Sequence, residues 1–531
     1  MQGLDAADDY PEGPRWWLAL AACVLVIVGA KLTLIWVYGS SVPYWDQWDA
    51  EAALLYRPYL DGHVPLSTFI GAHNEHRILT SRLLALGELE FAGRWDPILQ
   101  MCVNALLHTI AVVTLMALLR RLVSAGAAIA LTVFAAILLA IPFGWENALA
   151  GFQSQFNFVL LFSTIALALF ARTAAFSPLW GGGIALSLLG YFSLSAGGCT
   201  PVVASVIVAM QLLAGQRAGL REWAGAAVLL VFGGVLLALV PTIPDHAPLK
   251  AQSLAQYLSA LQLIASWPMP SAPFAPLLLN APLLWLFIRV MQEKRPLRDP
   301  AWLCIAIGGW VAMQAVTLAY GRAVGIEASR YLDLISVGVL MNFVALAALL
   351  KDRAATVGLP RQSGLGLAGV WLVAVALGIG HMAMKATPVN VVTRGEQGKV
   401  QAENVRQYLA TGDMAHLKDK PFLQVPYPNA ERLASILNMP EIRGILPPEL
   451  VDDPAARAAM QARLSSGGMF APLAWKIRTF LPKAGPYIGF AGIALYFLAG
   501  LAGCLLATRS ERAQGAASEA AAPAPAAPNL A

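Results

Sequence analysis

Two carboxylates lie three residues apart in a short aromatic segment, Tyr44-Trp-Asp-Gln-Trp-Asp, which follows the first apolar run of the chain. If this segment forms a helix, the spacing puts Asp46 and Asp49 on one face. There the two groups could divide the roles of general base and orienting partner, or share a divalent cation such as Mg²⁺ or Mn²⁺. The alternative is an aromatic belt at the membrane interface in which the aspartates only cap a helix.

A second polar cluster, His73-Asn-Glu-His-Arg, follows in the same loop, and such density is uncommon in a chain this apolar. The guanidinium of Arg77 has the planar geometry that holds a phosphate or a carboxylate through two hydrogen bonds. Glu75 and His76 lie beside it as further candidates for substrate binding. A zinc site with His73 is an alternative, although histidine pairs of this kind more often make ordinary hydrogen bonds. Arg77 could also simply pair with a neighbouring carboxylate.

Polar side chains return in the turn after the third apolar run, within Gly144-Trp-Glu-Asn-Ala-Leu-Ala-Gly-Phe-Gln-Ser-Gln. Polar groups near a membrane boundary usually have a functional or structural reason. Glu146 and Gln153 are therefore candidates for binding sugar hydroxyls. The alternative is that they only cap the ends of helices.

Two arginines and a tyrosine, Arg322, Arg330 and Tyr331, lie between the ninth and tenth apolar runs. Guanidinium groups match the oxygens of a phosphate through paired hydrogen bonds. This segment therefore suits a site for a lipid-linked phosphate at the membrane surface. The alternative is that the arginines anchor lipid headgroups or pair with Glu327 and Asp333.

The composition indicates which elements must position these side chains. Hydrophobic residues make up 58% of the 531 positions and charged residues only 13%. Long apolar runs of this kind predict membrane-spanning helices, and the fold class is all-α because the runs lack the alternation of barrel strands. We predict about twelve transmembrane helices, near 16–38, 97–119, 124–142, 156–175, 179–196, 200–215, 223–241, 273–291, 300–320, 331–350, 364–384 and 485–507.

Lysine and arginine residues predict the orientation of these helices, because short cytoplasmic loops carry the excess of positive charge. Every second gap between the apolar runs is basic, and twelve helices then leave both termini in the cytoplasm. The longer loops 39–96, 242–272 and 385–484 lie on the outer side. Arg322 and Arg330 interrupt this pattern, because they are positive charges on the outer side.

Four regions follow from this topology. Residues 1–384 form a transmembrane core with the first outer loop at 39–96, residues 385–484 form a small outer accessory segment, residues 485–512 hold the last transmembrane helix, and residues 513–531 form a disordered tail rich in alanine and proline. Within the first outer loop we predict an interfacial helix after Glu51 and an amphipathic helix over 78–91. Asp96 and Pro97 predict a capped start of the second membrane helix.

Several function classes receive no support. All five cysteines lie in or beside apolar runs, so a disulfide framework is not expected. The net charge of +5 is explained by cytoplasmic membrane anchors, and nucleic-acid binding is not indicated. The chain has no phosphate-binding glycine motif between a strand and a helix, so no nucleotide site is predicted.

The architecture resembles the GT-C superfamily of glycosyltransferases that use polyprenyl-linked sugars. The resemblance lies in a first helix, a long outer loop with acids at its start, and arginines in a later outer loop. In more detail, the chain is similar to a group of bacterial membrane proteins usually assigned to that superfamily, through its segments Tyr44-Trp-Asp-Gln-Trp-Asp, His73-Asn-Glu-His-Arg, Gly151-Phe-Gln-Ser-Gln-Phe, Ala328-Ser-Arg-Tyr and Pro426-Tyr-Pro.

This resemblance implies transfer of a sugar from a polyprenyl phosphate to a hydroxyl of a glycan, lipid or protein acceptor, on the outer face of a bacterial inner membrane. It assigns the general base to Asp46, with Asp49 as the reserve, and the phosphate to the arginines. Some members of the superfamily bind a divalent metal with an acid pair, but the spacing here departs from their Asp-x-Asp form. The alternatives are a lipid-linked glycan polymerase or ligase, a transporter or flippase, and a non-enzymatic scaffold.

Overall fold

The computed structural model describes residues 14–355 and 361–520, and this part of the chain is mostly helical. The α-helices are, in chain order, α1 (Pro14–Tyr38), α2 (Arg57–Leu60), α3 (Leu66–Ile70), α4 (Leu79–Ala92), α5 (Pro97–Leu119), α6 (Ala125–Ala140), α7 (Trp145–Ala148), α8 (Ser154–Arg172), α9 (Pro178–Tyr191), α10 (Cys199–Leu213), α11 (Leu220–Ala238), α12 (Leu254–Ala265), α13 (Ala275–Glu293), α14 (Ala301–Gly321), α15 (Leu332–Ala355), α16 (Arg361–His381), α17 (Thr387–Thr411), α18 (Ala430–Leu437), α19 (Pro440–Ile445), α20 (Pro454–Gln461) and α21 (Ala471–Ala520).

Shorter elements connect these helices. One strand pair is described, in which β1 (Ala72–His73) runs antiparallel to β2 (His76–Arg77). Two π-helical segments are Gln47–Tyr56 and Met382–Ala386. The 3₁₀ turns are Arg120–Leu122, Gly151–Gln153, Ser195–Gly198, Pro244–Leu249, Ser329–Tyr331, Met414–His416 and Phe422–Gln424.

The chain is an all-α membrane protein, as predicted. Each of the twelve predicted apolar runs overlaps a helix, and nine helices in the described ranges are long and apolar enough to cross a membrane. Two of the others, α6 with 16 residues and α9 with 14, are short for a hydrocarbon core of about 30 Å. The count of twelve spans therefore stays a prediction.

The first and last long helices lie against each other without intervening side chains. A Cβ atom on Gly29 of α1 would lie only 2.2 Å from the backbone nitrogen of Gly489 of α21. Small residues allow this approach of two backbones in a membrane. Helix α21 extends to Ala520, past the predicted start of the tail at 513, through a stretch rich in alanine, a strong helix former. The rest of the predicted tail, 521–531, lies outside the described residues.

A second apolar core lies outside the spanning helices. Trp48 and Trp95 of the first loop pack in one cluster with Leu433 and Ile436 of the 385–484 segment. The rings of the two tryptophans meet edge to face with centroids 5.2 Å apart. Loop 39–96 and segment 385–484 are therefore one packed unit, because they bury a common set of apolar side chains.

Local signals at the helix ends are confirmed. Asp96 caps α5, since its Oδ1 accepts a hydrogen bond of 3.1 Å from the backbone N–H of Leu99, with Pro97 at the first helical position. Arg478 of α21 donates to the same Oδ1 at 2.9 Å. The predicted amphipathic helix over 78–91 is α4.

Candidate functional site

The predicted polar residues converge on one cavity of about 280 Å³ at the ends of the spanning helices. Eight of the ten side chains that the sequence predicted for the site line it, and Asp49 and Arg77 do not. The eight are Asp46, Glu75, His76, Glu146, Gln153, Arg322, Arg330 and Tyr331. We call this space the polar cavity. Its lining residues come from segments that are up to almost three hundred residues apart in the sequence, so the fold brings them together.

Asp46 stands immediately before the π-helical segment and faces the polar cavity. Trp45 has a φ of 52°, a conformation that is unusual for a bulky residue, and its N–H donates to the carbonyl of Pro426 at 2.8 Å. The Asp46 side chain is 44% exposed, and its Oδ1 lies 3.6 Å from Nε2 of His73. Burial raises the pKa of Asp46, but His73 and Arg330 outweigh that effect, so the net pKa is lowered and the group is ionised.

A buried network holds the Asp46 turn against α5. Gln47 donates through Nε2 to Glu51 at 3.0 Å and to Gln100 at 2.8 Å, and its Oε1 accepts from the backbone N–H of Tyr44 at 3.0 Å. Trp95 Nε1 also donates to Glu51, at 2.8 Å. Burial raises the pKa of Glu51 to about 7 despite these hydrogen bonds. The backbone on both sides of Asp46 is therefore tied to the membrane domain.

Asp49 is directed away from the polar cavity. Its Oδ1 accepts from Nε and Nη2 of Arg432, at 2.9 and 2.7 Å, and Tyr427 donates to its Oδ2. The two aspartates therefore do not form the shared pair that the spacing predicted. A cation held by both carboxylates does not fit this arrangement, and the described residues contain no cluster of three or more histidine, cysteine, aspartate or glutamate side chains suited to a metal ion.

The turn between β1 and β2 presents Glu75 to the opposite wall. Arg322 donates to both of its oxygens, at 3.0 and 2.7 Å, and His246 lies 2.6 Å from Oε1. Burial alone would raise the pKa of Glu75, but Arg322 and His246 lower it to about 2. Ser195 also donates to the backbone carbonyl of Glu75. Arg322 is therefore already engaged by a carboxylate, in the geometry that a phosphate would take.

His76 and Arg77, the two residues of β2, lie on opposite sides of the hairpin. His76 lines the polar cavity, and burial lowers its pKa to about 4, so the ring is neutral near pH 7. Arg77 lies outside the cavity, because its Nη1 donates to the carbonyl of Ile70 at 3.1 Å on the far side of the hairpin. Adjacent residues of a strand point to opposite faces, which explains the separation. Arg77 is therefore not among the residues that line the polar cavity.

Arg330 is the more accessible of the two cavity arginines. Its Nη1 donates to Glu146 at 3.1 Å, and its side chain is 37% exposed, against 19% for Arg322. Glu146 also accepts from the backbone N–H of Arg330 and from the hydroxyl of Ser329, each at 3.0 Å. The guanidinium lies 5.1 Å from the ring centroid of Tyr331. Glu146 thus orients Arg330 while leaving other donors of that arginine available.

Two side chains at the site were not predicted, and a third has a contact other than the one considered. His246 comes from the 3₁₀ turn Pro244–Leu249, and no local motif marks it. Arg394 of α17 is 4% exposed and lies 4.0 Å from the ring centroid of Tyr44, a cavity residue. His73 was considered only for zinc, whereas it contacts Asp46. His73 could be noticed in the sequence because it belongs to a dense polar cluster. His246 and Arg394 reach the site only through the packing of distant segments.

The polar cavity combines complementary groups. One ionised carboxylate, Asp46, is open to the space and can accept a proton. One guanidinium, Arg330, retains donors for an anion. The amide of Gln153 and the phenol of Tyr331 can bind hydroxyl groups. The arrangement suits a substrate with both a sugar-like polyol and a phosphate.

No family model, curated protein or solved structure matches this chain. The resemblance to the GT-C superfamily therefore stays a prediction.

Proposed function

We propose that the chain is a membrane glycosyltransferase that moves a sugar from a polyprenyl phosphate to an acceptor hydroxyl. The observation that carries the proposal is the convergence of Asp46 and Arg330 in one cavity. The proposed location is the periplasmic face of a bacterial inner membrane, with both termini in the cytoplasm, as the distribution of basic residues predicts.

In the proposed reaction, the acceptor oxygen attacks the anomeric carbon of the donor sugar. The bond from that carbon to the phosphate oxygen breaks, and the lipid phosphate leaves with the electron pair. Asp46 takes the proton of the acceptor hydroxyl. Its lowered pKa makes it a weak base, so proton transfer follows the development of positive charge on the attacking oxygen.

The positive charges of the cavity serve the leaving group. Arg330 stabilises the negative charge that grows on the phosphate, because its donors are fixed by Glu146 before the reaction. Arg322 supports the same wall through its pair with Glu75. Gln153 and Tyr331 bind sugar hydroxyls in this proposal.

A second space supports a lipid donor. An apolar groove of about 780 Å³ lies among α10, α12, α13, α14 and α15, lined by side chains that include Val316 and Asn342. Val316 is six residues before Arg322, which is about 9 Å along α14. A polyprenyl chain is an apolar ligand of the kind that such a groove accommodates, with its phosphate at the end of the helix. We call this space the donor groove.

The test compares cells that lack the gene with cells that carry it. Mass analysis of surface glycans and membrane lipids is expected to show a sugar-bearing component that disappears on deletion and returns with the wild-type gene. An Asp46→Asn protein at equal abundance in the membrane should not restore it. An unchanged glycan and lipid profile on deletion, or full restoration by Asp46→Asn, would contradict the proposal.

A further inference from the structure

A third cavity contains charges that the proposed reaction does not use. It has a volume of about 560 Å³, opens between α1, α6 and α21, and is lined by Lys31 and Asp333 among mostly apolar side chains. We call it the lateral cavity. A charged side chain within a membrane span is expensive, so it usually marks a binding site or a partner.

Lys31 is the less satisfied of the two charges. It is 8% exposed and makes no hydrogen bond or ion pair with any residue that the structure describes. Asp333 is equally buried, but its Oδ2 accepts from Nδ2 of Asn147 at 2.9 Å. The ammonium group of Lys31 therefore faces the cavity without a direct counter-ion. An anion at the membrane interface would complement it.

The depth of Lys31 suits an interfacial headgroup. It is seven residues before Tyr38, the last residue of α1, which is about 10 Å along the helix axis. A lysine side chain extends toward the interface from such a position. Tyr38 itself lines the lateral cavity, so the ammonium and the end of the helix bound one continuous space.

The lateral cavity adjoins the polar cavity. Gly144 and Ala148 line the lateral cavity, and Glu146 between them lines the polar cavity. Asp333 is three residues after Arg330. The two spaces are therefore separated by a single turn of the chain.

The lateral cavity and the donor groove lie on opposite sides of α15. Asp333 lines the first and Asn342 the second. Nine residues at about 100° each place these side chains half a turn apart on the helix. The lateral cavity and the donor groove thus lie on two sides of α15, and Arg330 and Tyr331, just before this helix, line the polar cavity.

We propose that the lateral cavity binds the phosphate-bearing headgroup of an anionic membrane lipid, and that this lipid is the acceptor. The assignment as acceptor rests on the proposed glycosyltransferase function, whereas lipid binding at Lys31 does not. Both substrates then reach the site from the membrane, the donor along one side of α15 and the acceptor along the other.

Lipid binding is tested with the purified full-length protein by native mass spectrometry, with phosphatidylglycerol as the anionic probe and phosphatidylcholine as the zwitterionic one. Lys31→Met should weaken phosphatidylglycerol binding about ten-fold, because a buried ammonium contributes more than the roughly 1 kcal/mol of a surface lysine. Lys31→Arg keeps the charge and should retain the binding. Equal binding by the wild type and Lys31→Met would overturn the site.

A double variant distinguishes lipid binding from simple neutralisation of Asp333. If Lys31 serves only that carboxylate, Lys31→Met combined with Asp333→Asn restores wild-type binding of phosphatidylglycerol, which would overturn the proposal. If Lys31 binds the lipid, the double variant stays as weak as Lys31→Met. Gel filtration of each variant checks that the protein is folded.

The acceptor is tested with a polyprenyl-phosphate sugar labelled in the sugar, added to the protein in bacterial lipid nanodiscs. The label should move to a second solvent-extractable lipid that chromatography separates from the donor, and Lys31→Met should slow this transfer about ten-fold at limiting lipid. Transfer to water-soluble acceptors alone would overturn the acceptor assignment. If Lys31→Met loses lipid binding but neither the wild type nor the variant transfers the sugar, the glycosyltransferase function is refuted. The lipid site at Lys31 then still stands.

Discussion

Asp46 and Asp49 lie one helical turn apart in the same aromatic segment, but they have different surroundings. Asp46 is 44% exposed and faces the polar cavity, with the imidazole of His73 3.6 Å from its Oδ1. Asp49 is 24% exposed and accepts three hydrogen bonds from Arg432 and Tyr427 of the 385–484 segment. One carboxylate is therefore available to a substrate, and the other joins two parts of the fold.

The comparison shows that carboxylate spacing alone does not identify a reactive pair. In the segment that engages Asp49, the carbonyl of Pro426 also accepts a hydrogen bond from the N–H of Trp45, and Phe422 packs against the ring of Trp45 with centroids 5.2 Å apart. The same segment thus occupies the carboxylate of Asp49 with hydrogen bonds and fixes the turn that directs Asp46 into the polar cavity. A residue of a predicted catalytic motif can serve the reaction by holding its neighbour in place.

The largest expected effect separates the two aspartates. Asp46→Asn should lower kcat for sugar transfer by about 10² to 10⁴-fold, the usual contribution of a positioned general base. Asp49→Asn should retain most of the rate and instead lower stability, because two donors lose a charged acceptor. The measurements are transfer from a labelled polyprenyl-phosphate sugar and thermal unfolding of the same preparations. Equal loss of activity in both variants would mean that the pair acts together, contrary to the geometry.

The two cavity arginines allow the same comparison. Arg330→Lys should lower kcat/KM for the donor by about 10 to 10²-fold, since a lysine loses a charge-assisted hydrogen bond of about 1.5 to 3 kcal/mol. Arg322→Lys breaks the two-bond pair with Glu75 and should act mainly on stability. Donor titrations at fixed acceptor measure the first effect. A larger kinetic loss in Arg322→Lys than in Arg330→Lys would exchange the two roles.

The sequence was sufficient for features that depend on neighbouring residues. The apolar runs predicted an all-α membrane protein, and Asp96 before Pro97 predicted the start of α5. Ten residues were predicted for the site because polar side chains near a membrane boundary are costly without a role, and the fold gathers eight of them in one cavity.

Features that depend on distant partners could not be predicted. Arg432 follows Asp49 by 383 residues, and nothing near either residue indicates the pair. His246 lies in a loop without a motif, and Arg394 was hidden in a helix of ordinary composition. Arg77 was assigned to the site because its guanidinium suits a phosphate and it belongs to a dense polar cluster, whereas the alternation of the strand turns its side chain away from the cavity.

A smaller expected effect concerns the network that holds the Asp46 turn. The pKa of Glu51 is about 7 in the folded protein, above its ordinary value of 4.5, so the folded state keeps a proton that the unfolded state releases. Stability should therefore fall by about 3 kcal/mol as pH rises from about 4.5 to about 7, and then stay constant with respect to this group.

Glu51→Gln removes this titration while its amide oxygen can still accept from Trp95. The difference in apparent Tm between about pH 5 and about pH 8 should be smaller in the variant than in the wild type. An identical pH dependence in the two proteins would show that Glu51 keeps its ordinary pKa.

The smallest expected effect tests the tie between Asp49 and the 385–484 segment. Tyr427→Phe removes the donor to Oδ2 of Asp49 but leaves the two N–H groups of Arg432 in place, so stability should fall by about 0.5 to 1.5 kcal/mol. Glu431→Gln is a matched control, because its partner Lys418 is more than half exposed and their pair should contribute nothing measurable. Transfer activity should be nearly unchanged in both variants. A loss in Tyr427→Phe comparable to that in Asp46→Asn would place Asp49 and Tyr427 within the reacting group, because a purely structural hydroxyl has no means of changing the rate so strongly.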